Sequence, residues 1–99
     1  MLRVVNIHKE TYDIYMGRAG HGQDGTFGNP FSQYNREKNI VMFKTYFYDR
    51  LEKDLIYKEK IHNLKTEADK REPEELKLGC FCFPKSCHVD IIIEYLQKI

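Results

Sequence analysis

The spacing of apolar residues lays out the chain's elements before any residue is singled out for its chemistry. Leu2-Arg-Val-Val-Asn-Ile7 is a short β-branched run and predicts a strand, with His8–Thr11 as a polar turn and Tyr12–Met16 as a second strand. Periodicity then stops: five of the six glycines fall between Gly17 and Gly28, a long loop in which Asp24-Gly25 marks a turn. Asn29-Pro30 blocks any regular element before the chain turns helical. Ile40, Phe43, Phe47 and Leu51 recur at three- and four-residue intervals, which predicts an amphipathic helix from Asn35 to about Glu52, capped by Ser32 or Asn35. Leu55, Ile61 and Leu64 carry an apolar stripe onward with no Gly or Pro to mark a boundary, so a bend is placed near Lys53. The charged run Lys65–Glu75, with Pro73 suited to a first helical turn, reads as a solvated connection ending in a short helical turn. Lys77–Phe83 predicts a third strand ended by Pro84, and Val89, Ile92, Ile93 and Leu96 form the stripe of a last helix capped by Ser86.

These elements predict an α/β fold: a small mixed three-stranded sheet, a long helix or helical hairpin between strands two and three, and a C-terminal helix. A helical crossover lets the third strand lie parallel to one of the first two. Residues 1–99 make a single domain, and 41% hydrophobic content argues for a folded globule. A core this small invites support from a second subunit or a metal, so a homo-oligomer is expected. The formal net charge of +1 gives no global field to draw the chain onto nucleic acid. No apolar stretch approaches the roughly 20 residues of a membrane span and no signal peptide is recognised, so a cytoplasmic protein without membrane contact is expected. Three cysteines, two of them flanking one residue of a strand, fit reduced thiols better than a disulfide framework.

The chemistry concentrates at Cys80-Phe-Cys-Phe-Pro-Lys-Ser-Cys87-His88, where a strand hands over to a helix. All three cysteines and one of four histidines lie there. A helix start favours anions and thiolates, so Cys87 is the candidate nucleophile, with His88 or His21 to supply a proton or positive charge and Asp90 near enough to orient His88. A buried cysteine is also a small hydrophobe, and Cys80 and Cys82 on an internal strand fit that reading too. Taken as metal ligands, Cys80, Cys82, Cys87 and His88 have the donor types for zinc. Their spacing, however, is not the paired C-x2-C of ordinary zinc modules, and adjacent residues seldom reach one ion. The glycine loop is either a cradle of backbone N–H groups, with Arg18 facing a phosphate or carboxylate, or a mobile surface loop. Asn29-Pro30-Phe31 either fixes an amide in place or is a helix entry with Phe31 as hydrophobic staple. His8 and His62 read as surface residues.

Tyr15-Met-Gly-Arg18, Gly28-Asn-Pro-Phe31 and Cys80-x-Cys82-x-Pro84-x-x-Cys87-His88-x-Asp90 together resemble the signature of a small domain family of unknown function found in bacteriophages and some bacteria. The resemblance covers nearly the whole chain; the glycine loop is longer than the pattern, and Met16 and Phe81 replace other apolar residues. Membership implies a viral or bacterial cytoplasmic origin and groups Gly17, Arg18, Asn29, Cys80, Cys87, His88 and Asp90 as a pocket. The expectation that follows is a phage-type protein that binds, and in one version processes, an anionic nucleotide-like molecule. Its ligand-binding residues would be Gly17, Arg18, Gly28, Asn29, Cys80, Cys87 and His88, with no cofactor required. The alternatives are a zinc-stabilised protein-interaction module and a thiol-dependent nucleotide-processing enzyme using Cys87, His88 and Asp90.

Overall fold

The computed structural model describes residues 1–20 and 22–99. Its elements run β1 (Leu2–Asn6), β2 (Ile14–Tyr15), α1 (Arg36–Lys53), α2 (Leu55–Arg71), β3 (Leu76–Cys80) and α3 (Val89–Lys98). The α/β class and the three-stranded sheet are as the periodicity predicts. The sheet is nonetheless wholly parallel rather than mixed: its order is β1-β3-β2, and β3 runs parallel to both neighbours, with Val4 opposite Leu78 and Ile14 opposite the same residue on the other side.

The reason lies in the turn after β1. A two-strand hairpin would leave β1 and β2 adjacent and antiparallel, but residues 7–13 carry the chain back across β3 before Ile14 joins it. At Gly79 a Cβ would come within 2.7 Å of both Ile7 Cγ2 and the Tyr12 ring. Glycine in the central strand is therefore what lets the crossing segment lie flat on that face. The opposite face of β3 presents Leu76, Leu78 and Cys80, alternating as a strand requires, to a core built with Phe43, Phe47, Ile61, Ile92 and Leu96 from the helices.

The helical pair follows its sequence closely at the start and departs at the end. Asn35 caps α1, its side chain accepting from the Lys38 N–H at 2.9 Å. The predicted bend is a true break: the Asp54 N–H still donates to Arg50 O at 2.8 Å, while its carboxylate accepts from the Tyr57 N–H at 3.0 Å and starts α2. The predicted solvated connection over Lys65–Glu75 is instead helical as far as Arg71, forming the last part of α2. Tyr57, Ile61, Leu64 and Ala68 stay buried at helical spacing to its end, so the charges of that run decorate the outer side of a continuous helix. Pro73 follows the C-cap Glu72 and stops the helix rather than opening one. The third strand is shorter than expected, ending at Cys80 instead of Phe83.

Among the described residues no helix is long and apolar enough to cross a membrane.

Candidate functional site

The carboxyl ends of all three strands lie at one edge of the sheet, because the strands are parallel. There Met16, Cys80 and the entry to α3 meet the two ends of the glycine loop. The joint is built around His88. Its Nε2 stands 2.8 Å from Met16 O and 2.9 Å from Phe27 O, the residues immediately before Gly17 and Gly28. Two carbonyl oxygens accept only from an N–H, so Nε2 carries the proton and Nδ1 is left as the ring's lone-pair nitrogen. Burial, against the pull of these two carbonyls, holds the imidazole below its ordinary 6.5, and the Phe43 ring meets it edge-on with centroids 5.0 Å apart. His88 is thus a neutral donor that fastens both ends of the loop to the sheet edge.

The loop's ends are also packed against each other. A Cβ on Gly28 would fall 2.6 Å from Gly17 O, a backbone approach that requires glycine, whereas one on Gly17 would fall 2.4 Å from Tyr15 Oη and displace the end of that side chain. Tyr15 Oη donates to Arg18 O at 2.8 Å. Arg18 then reaches across, its Nε donating to Asn29 O at 2.8 Å and its Nη2 to Phe31 O at 2.9 Å. Asn29, expected to read a ligand's polar edge, is buried and committed to the protein: Oδ1 accepts from the Phe31 N–H and Nδ2 donates to Asn39 O of α1. Tyr15, Gly17, Arg18, Gly28, Asn29, Phe31 and His88, drawn from three separate motifs, form one knot.

Beside that knot opens a cleft of about 330 Å³. Gly17, Arg18, Asn29, Cys80, Cys82, Cys87 and His88 all line it, as the sequence groups them. Gly28 does not; it stands behind Gly17. Asp90 is likewise off the wall, and in place of orienting His88 it accepts from the Cys87 N–H at 3.2 Å, bracing the start of α3 where Ser86 was expected to cap. Ser86 lines the cleft instead, together with Phe31, Ser32, Arg36, Asn39, Ile40 and Phe81. Arg36 is the important addition: the sequence signals only a basic residue in a first helical turn, one of sixteen in the chain.

Electrostatically the cleft is one-sided, for its lining includes two guanidinium groups and no carboxylate. Of the five arginines, Arg3, Arg50 and Arg71 are paired with acids. Among the described residues Arg18 and Arg36, the two on the cleft, have no acidic partner within ion-pair distance. At the floor Cys80 Sγ and Cys87 Sγ are 3.4 Å apart, both residues buried. Two thiols this close ionise unequally. The contact between them, in which either sulfur could donate, lowers the Cys80 thiol against burial. Cys87 is pushed well up by the same contact, by burial and by the charge beside it. The contact therefore ties thiolate character to the Cys80–Cys87 pair rather than to the helix start at Cys87 alone.

Among the described residues no three His, Cys, Asp or Glu side chains come together as a metal site, and His88 Nε2 is engaged by its carbonyls. His21 lies outside the described residues. Of the other histidines, His8 is exposed as expected, whereas His62 is half-buried with Nε2 2.6 Å from Tyr95 Oη.

Comparison with known proteins places the chain in a family. A family model described as Domain of unknown function (DUF4326) matches residues 3–98. The chain is also similar to a protein of Enterobacteria phage T4 described as an uncharacterized 12.4 kDa protein in the nrdA-td intergenic region. The two are 32% identical over 102 residues, spanning all of this chain and 81% of that protein. No solved structure matches the chain.

Proposed function

This chain belongs to the family described as Domain of unknown function (DUF4326), and from that premise and the architecture of its cleft we propose that it binds an anionic, nucleotide-like small molecule at the carboxyl edge of the sheet. One observation carries the reading: the only two arginines without a carboxylate partner among the described residues line the same acid-free cleft. Both are exposed residues without an acidic partner, so an incoming anion meets no competing carboxylate there, and the planar guanidinium fork matches phosphate oxygens.

Arg18 and Arg36 play different parts. Arg18 is fixed by two backbone carbonyls, which leaves Nη1 to face a ligand in a set orientation. Arg36, in the first turn of α1, is held by no side-chain bond among the described residues and supplies the adjustable contact. Phe31 and Phe81 on the wall offer apolar surface for a ring, and Ser32 and Ser86 offer polar atoms for a sugar or base edge. The volume lies near the lower end of the roughly 300–1,000 Å³ usual for ligand sites, so one nucleotide is the natural size.

The test is a thermal-shift and calorimetric panel of nucleoside mono-, di- and triphosphates alongside the uncharged nucleosides. Phosphorylated members should raise Tm while the parent nucleosides leave it unchanged. Arg36→Ala should weaken binding roughly 10- to 100-fold, the cost of about 1.5–3 kcal/mol for a lost charged hydrogen bond. Equal responses to nucleosides and nucleotides, or undiminished affinity in Arg36→Ala, would overturn the reading.

A further inference from the structure

We propose that Cys80 and Cys87 form an oxidisable pair on the cleft floor, closing to a disulfide when a small hydroperoxide enters. The inference rests on the sulfur geometry and stands whether or not a nucleotide binds. The two Sγ atoms are 3.4 Å apart and a disulfide bond is about 2.05 Å long, so closure needs a movement of only about 1.3 Å. One sulfur sits at the last residue of β3 and the other in the irregular segment ahead of α3. Residues 81–86 between them are exposed apart from half-buried Cys82, so the connecting segment can absorb that movement without disturbing the core.

Both cysteines are buried as residues, yet both line the cleft, which gives a molecule the size of hydrogen peroxide a route to them. The 3.4 Å contact with Cys87, and after it the Phe83 and Cys82 backbone, favour negative charge on Cys80, so Cys80 is taken as the attacking sulfur. Its thiolate displaces hydroxide from the peroxide, breaking the O–O bond; the hydroxide takes a proton and leaves as water, and Cys80 becomes a sulfenic acid. Cys87 sulfur then attacks that sulfur. The S–O bond breaks, the departing hydroxide takes the Cys87 proton, and a second water leaves as the S–S bond forms. Two electrons pass from the pair to the hydroperoxide.

The experiment uses the full reduced chain, folded, treated with stoichiometric hydrogen peroxide and analysed by intact mass and peptide mapping. Cleavage after Lys85 separates Cys87 from the peptide holding Cys80 and Cys82, and fragmentation of that peptide assigns the bond. The expected result is loss of two hydrogens and of two of the three free thiols, with a Cys80–Cys87 cross-link and Cys82 still alkylatable. In Cys87→Ser, dimedone should capture a sulfenic acid at Cys80, and Cys82→Ala should close as the parent does. Three results would overturn the proposal: retention of all three thiols, a cross-link through Cys82, or dimedone on Cys87 with Cys80 intact. Because mapping of the unmodified chain already locates the bond, a variant that fails to fold does not rescue the idea.

Discussion

A histidine whose Nε2 faces two backbone carbonyls is fixed as the Nε2–H tautomer, and at position 88 that choice joins the loop ends at Met16 and Phe27 to the start of α3. It also sets a pH dependence. Burial lowers the folded pKa of His88 below 6.5, so below that pH the unfolded chain takes up a proton that the folded chain refuses, and stability falls as pH falls through the window. Urea unfolding at about pH 5 and about pH 6.5 should show the folded chain losing up to about 1.4 kcal/mol per pH unit, and His88→Gln should flatten that slope. An identical slope in the variant would remove His88 from the account. The importance of His88, Cys80 and Cys87 was legible because their side chains are chemically distinctive and crowd into nine residues. The role of Asn29 was not, since its partners, the Phe31 N–H and Asn39 O, become neighbours only once α1 is docked. Arg36 was illegible for the opposite reason: a basic residue in a helix that many other lysines and arginines surround looks solvated until a cleft is found beside it.

At the scale of elements, α1 was readable because Asn35 and the Ile40, Phe43, Phe47, Leu51 stripe agree with each other. The break after Lys53 was harder, as Asp54 ends one helix and starts the next without a glycine or proline to announce it. Its carboxyl is held below 3.8 chiefly by the Tyr57 N–H, then by Arg50, whose guanidinium also lies 4.0 Å from the Tyr57 ring centroid. Asp54→Ala should therefore lower Tm and loosen the α1–α2 corner, while Asp54→Asn, which keeps an acceptor for the Tyr57 N–H, should retain most of the stability. Equal losses in both would show that charge, not capping, holds the corner; circular dichroism melts distinguish the two. The error over Lys65–Glu75 has a plain cause. A high density of charge suggests solvation of the whole segment, whereas one buried residue every three or four, ending at Ala68, is enough to keep a helix docked.

For the molecule as a whole, topology decided where chemistry is assembled. The sequence implied three strands and a crossover, but it did not reveal that residues 7–13 cross over Gly79, the step that makes every strand parallel and brings all the carboxyl ends to one edge. Ligand sites in open parallel sheets favour that edge, and here the three motifs gather on it. The competing basic surface is α2, with Lys58, Lys60, Lys65 and Lys70 along its length, and an anion drawn there by charge alone would bind without using the knot. Amide NMR of the labelled chain, titrated with a nucleoside diphosphate, separates the two directly. Binding at the cleft predicts saturable shifts at Gly17, Ser32, Arg36, Cys82, Ser86 and Cys87, with α2 unmoved. Shifts confined to α2, or none at the cleft at saturating ligand, would contradict the account.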